Sequence, residues 1–366
     1  MQIDFHHGVT YVVARSAGFN HREASIIAHS AQYVDDSTNA GTIQFDNGIQ
    51  FTRISAAHKL FDYRNFRQLA NYQVWIPFHF PPGNDSLPAG QSPAGSPINS
   101  LICRPNSYVA RSMVRECIRQ RHAPCSLYRL GITMHVYADT WSHQGFVGVN
   151  HRVNQARFIL DGKGNPDREF NQRVRKYFNK NWLERLANLF ISEALPLGHG
   201  AVLSKPDKPF LKWGYINGLG ERIERDNPRD FLEAADQMCR WMRRYRTGDP
   251  DAVVCGLPQP DKDTIDRLIR TITDKDSELR QQQWLTAIRA GKFSFGEATV
   301  TYVAKGKGSW KHQALGTEKE KDTGKEIFPY HPAFLNSHWK HFHDALQIHR
   351  DYVVKDLLPQ YGIVVA

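Results

Sequence analysis

Three residues carry the strongest chemical signal in this chain. His135, Asp139 and His143 lie four apart within Gly131-Ile-Thr-Met-His-Val-Tyr-Ala-Asp-Thr-Trp-Ser-His-Gln-Gly145. On an α-helix, steps of four rotate by only about 40°, so the three side chains share one stripe, with neighbours about 6 Å apart and the ends about 12 Å apart. An ion with bonds of about 2 Å can be gripped by one such pair, but hardly by both ends of the stripe. The spacing therefore suggests two metal ions with Asp139 between them, able to bridge. Clusters of that kind hydrolyse phosphate esters by activating water and stabilising the charge that develops. Three polar residues on a solvated helix face would give the same spacing. The neighbours Ile132, Met134, Val136, Tyr137 and Trp141 argue instead for burial, and buried histidine and aspartate need partners.

A cluster assembled between helices draws its other members from far along the chain. Asp4, His6 and His7 sit at the N-terminus; His29 and Asp36 are seven apart on one helical face, with Asp35 adjoining. His58 follows, and His79 interrupts the apolar run Val74-Trp-Ile-Pro-Phe-His-Phe-Pro81. Taken singly, each of these histidines is equally well explained by core or surface. His199 is a stronger candidate, standing between Gly198 and Gly200 with Asp207 nearby. The C-terminal run from Ser337 to Asp344, with His331 and His349, is also histidine-rich. There, however, Trp339, Phe342, Leu346 and Ile348 read as the apolar face of a docking helix. No nucleophile elbow, P-loop or dinucleotide fingerprint occurs, which argues against serine hydrolases, nucleoside triphosphatases and dehydrogenases.

The elements that must position these residues read as helical almost throughout. Apolar spacing predicts a helix over 4–17 that stops at Gly18, and a second opened by an Asn20–Glu23 capping box and running towards Tyr33. Others are predicted from Ser107 past Ile118, over 126–142, over 166–194, and from an Asn227 cap with Pro228 to Arg244. Two more cover 261–290 and 333–358. Ala298-Thr-Val-Thr-Tyr-Val303 alternates and suits half of a small hairpin. The Pro-, Gly- and Ser-rich stretch 81–106 reads as a long surface loop over the site or a flexible insert, and the lysine-rich 305–327 as mobile. The expected architecture is mainly α, a multi-helix bundle with at most a small β-hairpin. Residues 1–215 would form the catalytic, metal-binding domain and 216–366 a helical C-terminal extension.

Composition is that of a globular chain: 366 residues, 41% hydrophobic and 23% charged. No apolar run approaches the roughly 18 residues of a membrane span. The start, Met1-Gln-Ile-Asp-Phe-His6, has neither a basic segment nor an apolar stretch, so no signal peptide is read there. The expectation is synthesis in the cytoplasm, with any export to a host or target cell by a specialised secretion system. Five cysteines without C-x-x-C spacing read as free thiols, not as a disulfide framework or thiolate zinc site. The net charge of +10 favours polyanionic partners, either nucleic acid or an anionic membrane surface.

Five segments carry a family resemblance: Asp4-Phe-His-His-Gly-Val-Thr-Tyr11, Ala17-Gly-Phe19, Gln32-Tyr-Val-Asp-Asp36, Val74-Trp-Ile-Pro-Phe-His-Phe80 and His135-x-x-x-Asp-Thr-Trp-Ser-His143. Together they resemble a bacterial group of zinc metallophospholipases C, typified by phosphatidylcholine-cleaving enzymes of Pseudomonas and injected effectors of Legionella. That group is related to the zinc-dependent phospholipase C and single-strand nuclease fold. The likeness covers residues 2–215 well and the remainder weakly. It implies that His135 and Asp139 are the central ligand pair, with Asp139 bridging, and that His143 and His199 hold a second metal. It further implies His6 at the N-terminal ligand position, and Asp35 with His79 completing the first metal. Asp35 or Asp36 would be the general base. The chain departs from the wider family in three places. Its second histidine follows the bridging aspartate more closely, and Leu203 stands where the family has a carboxylate four residues after the final histidine. Met1 also precedes any residue that could match the family's processed N-terminal ligand.

The resemblance thus implies two or three zinc ions and hydrolysis of glycerophospholipids, phosphatidylcholine-like, to diacylglycerol and a phosphorylated head group. Trp75, Trp141 and Trp213 are candidates for cation–π contact with the head group, or for the core. Three rivals remain open: a single-strand-specific zinc nuclease, a phosphohydrolase built on the pair His343-Asp344, and a non-catalytic binding module with a structural metal.

Overall fold

The computed structural model describes residues 1–57, 71–170, 172 and 198–364. Its central element is the helix Ser126–Ser142, buried at every position from Tyr128 to Ser142. Leu130, Ile132, Met134, Val136 and Ala138 place apolar surface around it, so no face is left for solvent. It packs against the helices His21–Asp36, Tyr108–Arg119, Asn227–Thr247 and His338–Asp351. At Gly131 the helix His21–Asp36 comes so near that a Cβ built there would stand 2.4 Å from the carbonyl oxygen of Ile27. Only glycine permits this crossing.

Local signals set many of the boundaries. Asn20 and Glu23 form the reciprocal capping box, and the Ser107 side chain accepts from Ala110 N. Gly18 ends the first helix with φ +96°. That helix is α-helical over Thr10–Ser16 but π-helical over Asp4–Val9, a wide turn common at functional sites. Asp226, not Asn227, caps the helix Asn227–Thr247 by accepting from Arg229 N. The helix expected over 261–290 is two, Gln259–Thr271 and Ser277–Arg289, because Asp276 starts a new one with its side chain. The helix expected over 166–194 lies outside the described residues beyond 172, and His58 also lies outside them.

The expected mainly α bundle with at most one hairpin is overturned. Helices predominate, but among the described residues six strands form two three-stranded sheets, and the fold mixes helix and sheet. The strands are β1 (Gly41–Phe45), β2 (Gln50–Arg53), β3 (Ala156–Leu160), β4 (Lys212–Asn217), β5 (Arg222–Asp226) and β6 (Ile327–Phe328). One sheet has the order β2-β1-β6, with β6 parallel to β1; the other, β3-β4-β5, is antiparallel. These strands are short, and the pairing of β6 with β1 joins residues far apart in sequence, so no local period announces it. The β1–β2 connection does carry a local signal, Asn47-Gly48, of the kind tight hairpins favour. The stretch 298–303, expected as a strand, is irregular.

One hydrophobic core joins Phe5, Val12, Ile27 and Trp141 to Phe231, Met238, Ile265, Trp284 and Leu357, so segments on both sides of position 215 share it. The lysine-rich stretch 305–327 contains the helix Trp310–Leu315 with Trp310 buried, and its Asp322 pairs with Lys311 and Arg53. The stretch 81–106 is tied down by Cys103 N, which donates to Phe146 O at 2.9 Å. All five cysteines are free, and four of them are buried. Among the described residues no helix is long and apolar enough to cross a membrane.

Candidate metal centre

The stripe on the central helix is buried as its neighbours imply: His135 is 0%, Asp139 1% and His143 4% exposed. Other elements bring five partners to it from four places. The π-helical turn Asp4–Val9 delivers His6, and the end of His21–Asp36 delivers Asp35. His79 follows the short helix Ile76–Phe78, and His199 and Asp207 flank a turn beyond Gly198. Gly198 adopts φ +54°, and a Cβ there would meet the Phe80 ring at 2.3 Å. That ring in turn stacks on His143 at 4.5 Å.

Asp139 is the hub. Its Oδ2 lies 3.3 Å from both His79 Nδ1 and His135 Nε2 and 3.6 Å from His143 Nδ1, while its Oδ1 lies 3.2 Å from His6 Nε2. Asp35 Oδ1 is 3.8 Å from His135 Nε2 and 3.9 Å from His79 Nδ1. On the other side, Asp207 reaches His143 Nε2 at 3.3 Å and His199 Nε2 at 3.5 Å. The Met1 amino group stands between, 2.5 Å from Asp139 and 3.3 Å from Asp207. Ligands of a tetrahedral zinc with bonds of about 2 Å stand about 3.3 Å from one another. Among the described residues three groups meet the geometric requirement of a metal site: His6, Asp35 and His135; His79, His135 and Asp139; and His143, His199 and Asp207.

Backbone carbonyls orient four of the imidazoles. Nδ1 of His135 donates to Ala31 O, Nδ1 of His143 to His79 O, and Nδ1 of His199 to Leu203 O, each at 2.7 Å. His79 donates through Nε2 to Ala56 O at 2.9 Å. Each bond fixes a tautomer whose other nitrogen is a free lone pair facing the carboxylates, the usual arrangement behind metal-bound histidine. The close crossing at Gly131, one turn before His135, is what brings Ala31 O within reach.

The electrostatics fit a cation. Burial opposes the charge on Asp139, but His143, the Met1 amine, His135 and His6 outweigh it and hold the carboxyl well below its usual range. For Asp207, too, burial opposes the charge, and His199, the Met1 amine and His143 outweigh it, lowering the carboxyl. Asp35 is pushed well above the usual range, first by burial and then by the charge of Asp139. Burial also drives His135 and His199 down to about 4, so both imidazoles are neutral near pH 7. His6 Nδ1 is buried with no partner, and His6 Nε2 and Asp207 Oδ1, also buried, have only the ion-pair contacts already given and no hydrogen bond. Buried atoms left without partners cost free energy, and a divalent cation would satisfy them. Nitrogen and carboxylate donors with no thiolate suit zinc and exclude a cysteine-rich structural site.

Residues 1–357 match a family described as a family of unknown function, DUF6765. The chain belongs to this family. No curated protein and no solved structure matches it.

His6, Asp35, His79, His135, Asp139, His143 and His199 are therefore brought together. Asp36 is not: Tyr302 Oη donates to its Oδ2 at 2.6 Å and Gln32 Nε2 at 3.1 Å. Asp4 pairs with Arg280, His7 bonds Gln281, and His29 stacks on Trp310. Nδ1 of His338 lies 2.7 Å from Tyr128 Oη, His343 Nδ1 accepts from Ile54 N, and His349 donates to Pro77 O. Trp141 and Trp213 are core residues, 1% and 3% exposed, and Trp75 rests against His79. Asp207, eight residues after His199, is noted near it in the sequence but not assigned as a ligand; the structure brings it to both His143 and His199. A proline turn, Ser204-Lys-Pro-Asp207, was the available signal.

Asp35 also borders a cleft of about 580 Å³, whose floor includes Met1 and whose walls include Gln32, Asp36, Gln281 and Tyr302. No residue of 81–106 lines it.

Proposed function

We propose that this protein is a zinc-dependent phosphodiester hydrolase, and that its reaction is of the phospholipase C type. The observation that carries the reading is Asp139, shared by histidines of two clusters and buried behind a cleft that Asp35 borders. His6, Asp35, His79, His135 and Asp139 would hold one or two ions, and His143, His199 and Asp207 with Asp139 another. Bound zinc supplies Lewis-acid polarisation of phosphoryl oxygens and a water of lowered pKa.

The chain's own residues do the rest. The carbonyl-bonded histidines keep the donor atoms in place without reorganisation during the reaction. Asp35 stands where cluster meets cleft, so its carboxylate is placed to orient a water there and accept its proton at oxygen. The phosphodiester would enter through the cleft with its phosphate towards Asp35. A glycerophospholipid then yields diacylglycerol and a phosphorylated head group, at a peripheral membrane surface to which the +10 charge draws the protein.

A nuclease is the second reading, and one observation weighs against it. Among the described residues the cleft is lined by no lysine or arginine, whereas a strand of nucleic acid calls for a basic groove.

The test is head-group release from phospholipid vesicles by zinc-loaded protein, wild type beside Asp139→Asn, with single-stranded DNA offered in parallel. Diacylglycerol from the wild type and none from the variant is the expected result. Activity retained in the variant, or release of mononucleotides alone, overturns the phospholipase assignment.

A further inference from the structure

The cleft contradicts the charge of the chain that contains it. The protein carries a net +10, yet the cleft wall holds three carboxylates, from Asp35, Asp36 and Glu278, and four glutamine side chains. Among the described residues its only aromatic ring is Tyr302. A phosphodiester entering here brings its own negative charge to the metal groups beyond Asp35. The portion left in the cleft must therefore be neutral or cationic, and rich in hydrogen-bond donors.

One side chain sharpens this. Gln32 is only 5% exposed, and its Nε2 is committed to Asp36, which fixes the amide orientation. Its Oε1 is buried with no partner. Beside it, Tyr302 directs its hydroxyl proton to Asp36, so the phenol oxygen offers the cleft a lone pair and no donor. The three residues of this wall thus bring together a buried, unpartnered amide oxygen, a carboxylate and a phenol oxygen, all acceptors. A quaternary ammonium has no N–H to give them, and its usual receptor is a cage of several aromatic rings. A primary ammonium donates three hydrogen bonds.

We propose that the cleft selects a phosphodiester whose head group ends in a primary ammonium, of the phosphoethanolamine class, with Gln32, Asp36 and Tyr302 as its receptors. This rests on the phosphodiesterase reading for the orientation of the phosphate. Gln32 Oε1 and Asp36 accept from the ammonium, and Tyr302 holds Asp36 in place. Glu278, exposed at the rim, adds attraction at longer range. The same chemistry occurs on a membrane lipid and on a soluble glycerophosphodiester.

The experiment is calorimetric titration of the zinc-loaded full chain with phosphoethanolamine, phosphocholine and inorganic phosphate. Phosphoethanolamine is expected to bind at least about tenfold more tightly than phosphocholine, the worth of one charge-assisted hydrogen bond. Gln32→Leu is expected to equalise the two, and Tyr302→Phe, which releases Asp36, to narrow the gap. Equal binding by the wild type, or a preference that survives both variants, overturns the inference. Hydrolysis of phosphatidylethanolamine vesicles and of glycerophosphoethanolamine is then compared; cleavage of either, in preference to its choline counterpart, supports it and identifies the source. If no diester is cleaved at all, the phosphodiesterase reading fails, while the binding preference still decides the head group.

Discussion

Nδ1 of His143 lies 2.7 Å from the backbone carbonyl oxygen of His79. A histidine of the Asp207 group is thus held by the main chain of a residue whose own side chain faces Asp139. The two halves of the centre share a carboxylate, and they also share a scaffold. Because the bond is to a carbonyl, it survives removal of the His79 side chain.

Metal content follows from that division. His79→Ala is expected to lower the zinc bound by about one equivalent and to leave the His143, His199 and Asp207 group loaded. Asp207→Asn should have the complementary effect. Asp139→Ala should lower both, since its carboxylate serves both sides. Mass spectrometry of metal in untagged protein separates the three. Wild-type stoichiometry in the Asp139 variant would remove the hub from the argument.

Gly131 is expected to tolerate no side chain. A methyl group there would stand 2.4 Å from Ile27 O and 2.6 Å from Ser30 Cβ, so Gly131→Ala must push the helix His21–Asp36 away. Overpacking of this kind costs about 1–3 kcal/mol. The shift also carries Ala31 O away from His135 Nδ1, and loss of such a supporting bond lowers metal affinity by roughly 10- to 100-fold. Urea unfolding and competitive zinc titration read the two effects separately. A helix merely loosened elsewhere would change the first and spare the second.

Arg280 ties residues 277–289 to the N-terminal turn that bears His6. Its guanidinium pairs with Asp4 at 2.6 Å and reaches Gln2 Oε1 at 2.5 Å, with both charged side chains fully buried. Arg280→Met leaves Asp4 without its partner, and an uncompensated buried charge costs about 3–5 kcal/mol. Chemical denaturation at neutral pH should show a loss of that order. A loss below about 1 kcal/mol would place the pair among the surface bridges that contribute little.

Acid sensitivity has an identifiable source in His343. Burial pushes its pKa down to about 3, with Arg53 acting in the same direction, and its Nδ1 accepts from Ile54 N. The folded state therefore keeps this imidazole neutral, whereas the unfolded chain takes up a proton below about pH 6.5. The associated stability is fully present above pH 6.5 and is lost as the pH falls from there towards 3. At pH 5 one such group accounts for about 2 kcal/mol. His343→Asn, which keeps an acceptor and cannot protonate, should show a smaller fall in urea midpoint between pH 7 and 5 than the wild type. Parallel falls would assign the sensitivity to other groups.

The sequence by itself determined what depends on neighbours along the chain. The four-residue spacing of His135, Asp139 and His143 defines a stripe on any α-helix, and the apolar residues between them require that the stripe be buried. Asn20, Ser107 and Gly18 mark helix ends because their side chains, or the lack of one, act within a single turn. Tertiary structure decided what depends on residues far apart meeting in space. Asp35 and Asp36 are adjacent and chemically alike, yet the helix periodicity turns one to the histidines and the other to Tyr302, some 270 positions away. Asp207 belongs to the centre only because its turn folds onto His143, and β6 is a strand only because β1 is there to pair with it. A polar cluster of this kind is stable only when every member arrives together, so no single segment carries its signature.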